Sequence, residues 1–125
     1  MQTLKLWHQI VNSSDASLLN ELLADDCVFY SPVVHSPQSG KAITTMYLSA
    51  AIQLFSKTNF HYIKEIISEN SAALEFEVEI DGIQMNGVDI ISWNESGLMT
   101  EFKVFIRPLK AVNLLHQKMA AMLQK

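Results

Sequence analysis

One aspartate, Asp89, carries the strongest chemical signal in the sequence. It lies in a run of strand-forming residues after the two-residue turn Asp81-Gly82, a type of turn that favours positive φ at both positions. Counting outward from this turn pairs Asp89 with Leu74, and directly opposed residues share one side of a sheet. A carboxyl group among aliphatic neighbours is expected to have a raised pKa, because desolvation penalises its charged form. Asp89 is therefore a candidate for proton transfer, or for donating a hydrogen bond as a neutral acid.

The next turn, Asn94 to Gly97, decides which side chains of the following strand join Asp89. A four-residue loop pairs Asp89 with Phe102, whereas a three-residue loop with a bulge gives the opposite faces. We expect the four-residue loop, because a shift by one residue would bury the three charged side chains of this strand. The four-residue loop directs Phe102, Val104 and Ile106 inward and leaves Glu101, Lys103 and Arg107 outside.

Amphipathic segments that pack against this sheet are predicted at both ends of the chain and in its middle. A first helix ends near Asn12-Ser13, and Ser14 is the candidate N-cap of a second, so that the two form a hairpin. A long third helix has a wide apolar stripe, and a final helix follows Pro108. The stripe of the third helix consists of Ile43, Met46, Tyr47, Ala50, Ala51 and Leu54.

Further strands are predicted over Cys27 to Ser31 and over Phe60 to Ser68, the latter with Phe60, Tyr62 and Ile66 as candidates for one face. Between Pro32 and Pro37 lies an irregular loop that contains His35. The order of elements predicts one α+β domain over residues 1–125, with an antiparallel sheet and helices on one side of it.

Composition excludes several classes of protein. The formal net charge is −4 and the nine Lys and Arg residues are scattered, so we expect neither a nucleic-acid partner nor a membrane partner. The four histidines show no metal-ligand spacing, and we expect no metal and no cofactor. The single cysteine, Cys27, and the lack of a recognisable leader segment favour a cytoplasmic protein.

Several short motifs, taken in order, resemble a known family. They are Ala24-Asp25-Asp26, Pro32, Gly40-Lys41, Met46-Tyr47, Gly87-Val88-Asp89-Ile90-Ile91 and Asn94-Glu95-Ser96-Gly97. Together they look like the SnoaL-like and ketosteroid-isomerase-like branch of the nuclear transport factor 2 (NTF2-like) superfamily. The resemblance implies a cone, in which a curved antiparallel sheet wraps around the long helix, with a pocket at one end and assembly as a homodimer.

The functional positions of that family carry over unevenly. The general-base Asp of the steroid isomerases corresponds to Ser31, which cannot accept a substrate proton without a base of its own. Their oxyanion-binding Tyr corresponds to Trp7, whose indole can donate a hydrogen bond but cannot exchange a proton. Asp89 matches a neutral, hydrogen-bond-donating Asp, and Tyr47 matches a supporting tyrosine. With the usual base missing, His35 is the candidate replacement.

The resemblance and the predicted registers together imply a small-molecule site. Its expected lining is Trp7, Phe29, Ser31, Tyr47, Phe76, Asp89, Phe102 and Val104. The leading hypothesis is a protein that binds a small apolar molecule, with proton-transfer chemistry of the isomerase, cyclase or hydrolase type on a carbonyl compound. The alternatives are a binding module without catalysis and a dimeric interaction or scaffold module.

Each candidate also has a purely structural interpretation. Asp89 can be a structural carboxylate, Tyr47 can be a core residue, and His35 can be a solvated loop residue. On the outer face of the sheet, Val88 and Ile90 alternate with polar residues and would be exposed apolar surface in a monomer. This pattern favours a homodimer formed through the outer face.

Overall fold

The computed structural model describes residues 2–123 as four helices around a six-stranded sheet. The helices are α1 (Gln2–Ser13), α2 (Leu19–Leu22), α3 (Lys41–Phe55) and α4 (Leu109–Leu123), and a single 3₁₀ turn (Ala16–Leu18) precedes α2. The strands are β1 (Leu23–Tyr30), β2 (Gln38–Ser39), β3 (His61–Ile67), β4 (Ser71–Ile80), β5 (Ile83–Trp93) and β6 (Met99–Arg107). The sheet is curved and unclosed, which confirms the predicted α+β cone.

The strand order is β2-β1-β6-β5-β4-β3. The consecutive strands β3 to β6 form an antiparallel meander, as expected. In contrast to the expectation of a wholly antiparallel sheet, β1 pairs with β6 in parallel. The two strands are far apart in the sequence, so the intervening helix and strands provide the long connection that parallel pairing requires.

The turn between β4 and β5 fixes the register that was predicted from the sequence. Asp81 and Gly82 both have positive φ, at 52° and 79°. The ladder pairs Phe76 with Gly87 and Leu74 with Asp89. Asp89 therefore lies on the inner face of the sheet, where it is 5% exposed.

The register between β5 and β6 differs from the prediction by two residues. Asp89 pairs with Val104 rather than with Phe102. Asn94 accepts from Gly97 and donates to Leu98, so the loop has the tighter three-residue form, and the register shifts again between Ser92 and Trp93. Because two one-residue shifts restore the alternation, the predicted faces are correct although the pairing is wrong.

The N-terminal helices end and begin differently from the prediction. Asp15, not Ser14, caps the 3₁₀ turn, because its carboxylate accepts from the backbone N–H of Ser17. Ser14 instead has a φ of 55° and turns the chain. Strand β1 then begins at Leu23 rather than at Cys27. The helical hairpin itself is present, but its second helix is only one turn long.

The most buried side of helix α3 is not the predicted stripe, of which only Ala50 is buried. Thr44, Leu48 and Ile52 are buried, whereas Met46, placed in the stripe by its spacing, is 45% exposed. The helix lies over β1 and against α4, so it has apolar neighbours on two sides. This placement encloses the concave side of the sheet between α1, α3 and α4.

Candidate functional site

A cavity of about 390 Å³ lies on the concave side of the sheet, under the helices. Its walls are mostly apolar, and its inner part is made of buried side chains of α1, α3 and the strands. Eight aromatic residues contribute to the wall. They are Trp7, Phe29, Tyr47, Phe55, Phe60, Tyr62, Phe76 and Phe102.

The structure places eight of the nine predicted site residues on the wall of this one cavity. They are Trp7, Phe29, Ser31, Tyr47, Phe76, Asp89, Phe102 and Val104. The ninth, His35, is exposed in the loop after β1 and does not line the cavity. The loop instead presents Pro32, Val33 and Val34 to the cavity, so the histidine side chain is not aimed inward.

Three polar side chains form a hydrogen-bonded chain at the inner end of the cavity. The Nε1–H of Trp7 donates to the hydroxyl oxygen of Tyr62 over 3.0 Å, and the Tyr62 hydroxyl donates to Oδ2 of Asp89 over 2.6 Å. An indole N–H can donate but cannot accept, so the direction of the Trp7–Tyr62 bond is fixed. Tyr62 donates its one hydroxyl hydrogen to Oδ2 of Asp89. Within residues 2–123, Oδ1 of Asp89 has no hydrogen-bond partner.

Burial dominates the protonation of Asp89. Desolvation raises the pKa of Asp89 from 3.8 to about 7, and the hydrogen bond from Tyr62 acts in the opposite direction. Burial also raises the pKa of Tyr62 well above its ordinary value of 10, with the neighbouring Asp89 as a further cause. Near neutral pH, Asp89 therefore exchanges its proton while Tyr62 keeps its own.

Tyr62 is the central residue of this chain, and sequence reasoning did not place it in the site. It pairs with Phe76 across the β3–β4 ladder, which directs it inward. The register shifts between Tyr62 and Lys64, so Ile66, predicted to share the face of Tyr62, lies on the opposite face and is 61% exposed. The inward alternation of Phe60 and Tyr62 was visible in the sequence, but the two-residue turn Glu69-Asn70 lacks the glycine that marks Asp81-Gly82, so no register of β3 was predicted from it.

Stacked aromatic rings build one wall beside Asp89. Tyr47 of α3 lies parallel to Phe29 of β1, with ring centroids 5.0 Å apart, and Trp7 contacts Phe102 edge-on at 4.9 Å. The resemblance placed Tyr47 in a supporting network, whereas within residues 2–123 its hydroxyl forms no hydrogen bond to Asp89. Tyr47 therefore contributes an aromatic surface to this wall.

On the opposite wall, Phe76 depends on a glycine. Its ring occupies the space above Gly87, its partner in the β4–β5 ladder. A Cβ atom built on Gly87 would overlap the Phe76 ring and lie 2.6 Å from the carbonyl oxygen of Phe105. This position therefore requires glycine for close approach rather than for backbone freedom.

Ser31, which the resemblance aligned with a general base, is already engaged in a hydrogen bond. Its hydroxyl oxygen accepts from the backbone N–H of Val33 over 3.1 Å, which holds the start of the loop. A serine without a neighbouring base is a poor proton acceptor. Asp89 is the one carboxyl group on the described cavity wall.

The exposed rim of the cavity is polar, unlike the mostly apolar wall. It includes Asn12, Ser14, Lys57 and His116, contributed by α1, the following turn, the turn after α3, and α4. No feature of the sequence indicates this set, since its members lie on four separate segments that meet through the packing of the helices. The cavity therefore has an acidic inner end and a basic rim.

Residues 2–123 contain no group of three or more His, Cys, Asp or Glu side chains arranged to hold a metal ion. No helix within those residues combines the length and the apolar character needed to cross a membrane.

Comparison with known proteins connects this geometry to a family. Residues 4–102 match the family model described as the SnoaL-like domain. No curated protein matches the chain.

Among solved structures, the chain is similar to a steroid delta-isomerase from Pseudomonas aeruginosa, with a TM-score of 0.92 and 29% identity, over 98% of this chain and 90% of that one. An uncharacterized bacterial protein with a cystatin-like fold from Silicibacter pomeroyi DSS-3 has a TM-score of 0.86 and 33% identity, over 95% and 83% of the two chains. The epoxide hydrolase/cyclase-like enzyme SalBIII, which acts in pyran ring formation in salinomycin, shares the fold with a TM-score of 0.67 and 15% identity, over 85% and 88%.

Proposed function

The chain belongs to the SnoaL-like domain family, and we propose that it binds a small apolar molecule whose carbonyl oxygen points at Asp89. The cavity volume of about 390 Å³ is within the usual range for small-molecule sites. Apolar walls with a few convergent polar groups are also typical of such sites. The fold relates the chain to a steroid delta-isomerase and to an epoxide hydrolase/cyclase-like enzyme.

The series of hydrogen bonds from Trp7 to Tyr62 to Asp89 is the observation that carries this proposal. Because Tyr62 donates to one carboxyl oxygen of Asp89, the other oxygen remains to meet a ligand. A protonated Asp89 donates from that oxygen to a carbonyl group, and an ionised Asp89 accepts a proton there. With a pKa of about 7, both forms are populated near neutral pH.

The same observation favours catalysis as a second step of the proposal. Ionised Asp89 removes a proton from the carbon next to the carbonyl group, giving an enolate, and the protonated acid then returns the proton to the same carbon or, where a carbon–carbon double bond adjoins that carbon, to the far end of the double bond. Asp89 would serve as both base and acid, because Ser31 is not a base and His35 is exposed away from the cavity. This division of work differs from that implied by the resemblance to steroid isomerases.

Binding and exchange of a simple ketone test the two steps separately. We expect 2-acetylnaphthalene to bind in calorimetry, and its methyl protons next to the carbonyl to exchange with D₂O faster in the presence of the protein. Asp89→Asn should keep binding and lose exchange, whereas Asp89→Leu should lose both. Binding without exchange would leave a pure binding module, and the absence of binding to any apolar carbonyl compound would contradict the proposal.

We further infer that the outer face of the sheet is covered by a second copy of the chain. Ile66, Ile90 and Phe105 lie on this face, and Phe105 is 52% exposed. A contiguous apolar strip on a sheet is typical of a homodimer interface. A scaffold role would use the same face and is compatible with the dimer.

The single thiol, Cys27, is buried and free, and a cytoplasmic location remains a prediction.

A further inference from the structure

The basic rim of the cavity points to the chemical class of the ligand. Resting on the proposed function, we propose that the ligand is an apolar oxo acid, with its carbonyl group at Asp89 and its carboxylate at the rim beside Lys57.

The charges on the cavity wall are separated along its depth. The ammonium group of Lys57 is exposed at the rim, as is the imidazole ring of His116, and the carboxyl group of Asp89 is buried at the inner end. The chain as a whole has a formal charge of −4, so a basic rim runs against the average charge of the surface. An anion approaching this protein is therefore attracted to the rim rather than to the surface in general.

Lys57 has no carboxylate partner among the described residues, as also holds for Lys5, Lys64 and Lys110, but of these four only Lys57 lies on the cavity wall. Lys118 pairs with Asp81 over 2.9 Å, and Lys41 lies 4.0 Å from Asp25. Lys103 lies over the ring of Tyr30. Within residues 2–123, no carboxylate forms an ion pair with Lys57, so its ammonium group is available to a ligand.

The backbone at Lys57 supports a role for its side chain. Its φ of 66° lies in the left-handed region, where glycine or asparagine is the usual choice. The turn is held by hydrogen bonds from the backbone N–H and the hydroxyl of Thr58 to the carbonyl oxygen of Phe55, and from the N–H of Phe60 to Thr58. A long basic side chain in a strained conformation at a cavity rim is a feature associated with function.

The orientation of the ligand follows from the two ends. A carboxylate at the inner end would lose its hydration and face Asp89, which carries a negative charge in part of the molecules at neutral pH. A neutral carbonyl group carries no charge to be desolvated or to be repelled by Asp89, and it can accept a hydrogen bond there. The carboxylate therefore belongs at the rim, where water and Lys57 are both present.

A matched pair of probes tests this inference. We choose 6-acetyl-2-naphthoic acid and its methyl ester, which share the apolar body and the ketone and differ in the charge at the far end. At low ionic strength, calorimetry should show that the acid binds about fivefold more tightly than the ester. The preference should fall in high salt, because screening weakens an exposed ion pair.

Variants then locate the charge. Lys57→Gln should remove the preference and leave the affinity for the ester unchanged, which also shows that the cavity is intact. Lys110→Gln, at an exposed position of α4 outside the cavity wall, is the matched control and should keep the preference. Equal binding of acid and ester by the wild type, or a preference that survives Lys57→Gln, overturns the inference alone. Failure of both probes to bind overturns it together with the proposed function.

Discussion

The hydroxyl group of Tyr62 donates to Oδ2 of Asp89 over 2.6 Å, although Tyr62 lies on β3 and Asp89 on β5, with β4 between them. The two side chains meet because each points inward from its own ladder on a curved sheet. Trp7 donates to Tyr62 from above, so the three groups are ordered in one direction. This arrangement determines how the protein responds to changes in pH and in sequence.

Removal of the Tyr62 hydroxyl should shift the titration of Asp89. In Tyr62→Phe we expect the pKa of Asp89 to rise above its value of about 7, because the carboxylate loses the hydrogen bond that stabilises its charged form. Carboxyl-carbon NMR across a pH series measures this. Tyr47→Phe is the control, since it removes a hydroxyl from the same cavity without touching the chain. If the pKa of Asp89 is the same in Tyr62→Phe as in the wild type, the hydrogen bond does not stabilise the charged form of Asp89.

Stability should depend on pH through Asp89. Its folded pKa of about 7 exceeds the unfolded value of 3.8, so the folded protein holds the proton more tightly. The resulting stability is fully present below 3.8 and is lost as the pH rises to the folded pKa, by at most on the order of 4 kcal/mol. Asp89→Asn should lack this loss, because an amide does not ionise.

Urea denaturation at acidic and mildly alkaline pH measures the difference. The free energy of unfolding of the wild type should fall relative to that of Asp89→Asn between the two conditions. A rise instead would mean that Asp89 is stabilised as a carboxylate in the folded protein.

These two predictions depend on features that differ in how well the sequence foretold them. The register that puts Asp89 inside was predictable, because Asp81-Gly82 is a turn with one strongly preferred geometry. Tyr62 was not placed in the site, because the two-residue turn Glu69-Asn70 between β3 and β4 contains no glycine to mark it, and the register shifts between Tyr62 and Lys64. Local rules predict a hairpin, whereas a bulge depends on contacts made by the whole sheet.

Three further features could not be predicted from local sequence rules. Both Ser14 and Asp15 are good N-caps by residue type, and tertiary packing selected Asp15. The rim set around Lys57 and His116 was invisible because its members come from separate segments. The position of His35 depended on the course of an irregular loop, which periodicity does not describe.

Substitution of Gly87 should be costly. In Gly87→Ala the new methyl group overlaps the Phe76 ring and the backbone carbonyl of Phe105, and the backbone cannot move away easily. We expect a loss of about 1–3 kcal/mol in the free energy of unfolding. Thermal and urea denaturation measure it, with Gln84→Ala, an exposed position on β5, as the control. Equal stability of the two variants would contradict the close packing described for Phe76.

Lys57→Gly should be more stable than the wild type. Relief of the left-handed conformation is expected to add about 1 kcal/mol to the free energy of unfolding, whereas Lys57→Ala, which keeps a Cβ atom, should add little. The Gly variant should at the same time lose its preference for an acid over an ester. If Lys57→Gly gains stability but keeps the preference for the acid, the Lys57 side chain has no role in binding the ligand.

The outer face of the sheet should control assembly. We expect light scattering to show a dimer at micromolar concentration, and the double variant Ile90→Lys, Phe105→Lys to be monomeric, since it places charges in the apolar strip. Leu109→Lys is the control, because Leu109 is 74% exposed at the start of α4 and lies outside the strip. A wild-type monomer, or an unchanged mass in the double variant, would argue against the dimer.

The bulge between β5 and β6 is a place where this hairpin can change length. Because Trp93 pairs with Met99 and Ser92 with Glu101, Thr100 is the extra residue of the bulge. Its loss would leave both pairs and the inward direction of Phe102 in place. Loss of one residue between Phe102 and Ile106, where the ladder is regular, would instead turn the following side chains to the opposite face or require a new bulge. A single-residue deletion is therefore expected to be far more disruptive along the regular ladder than at Thr100.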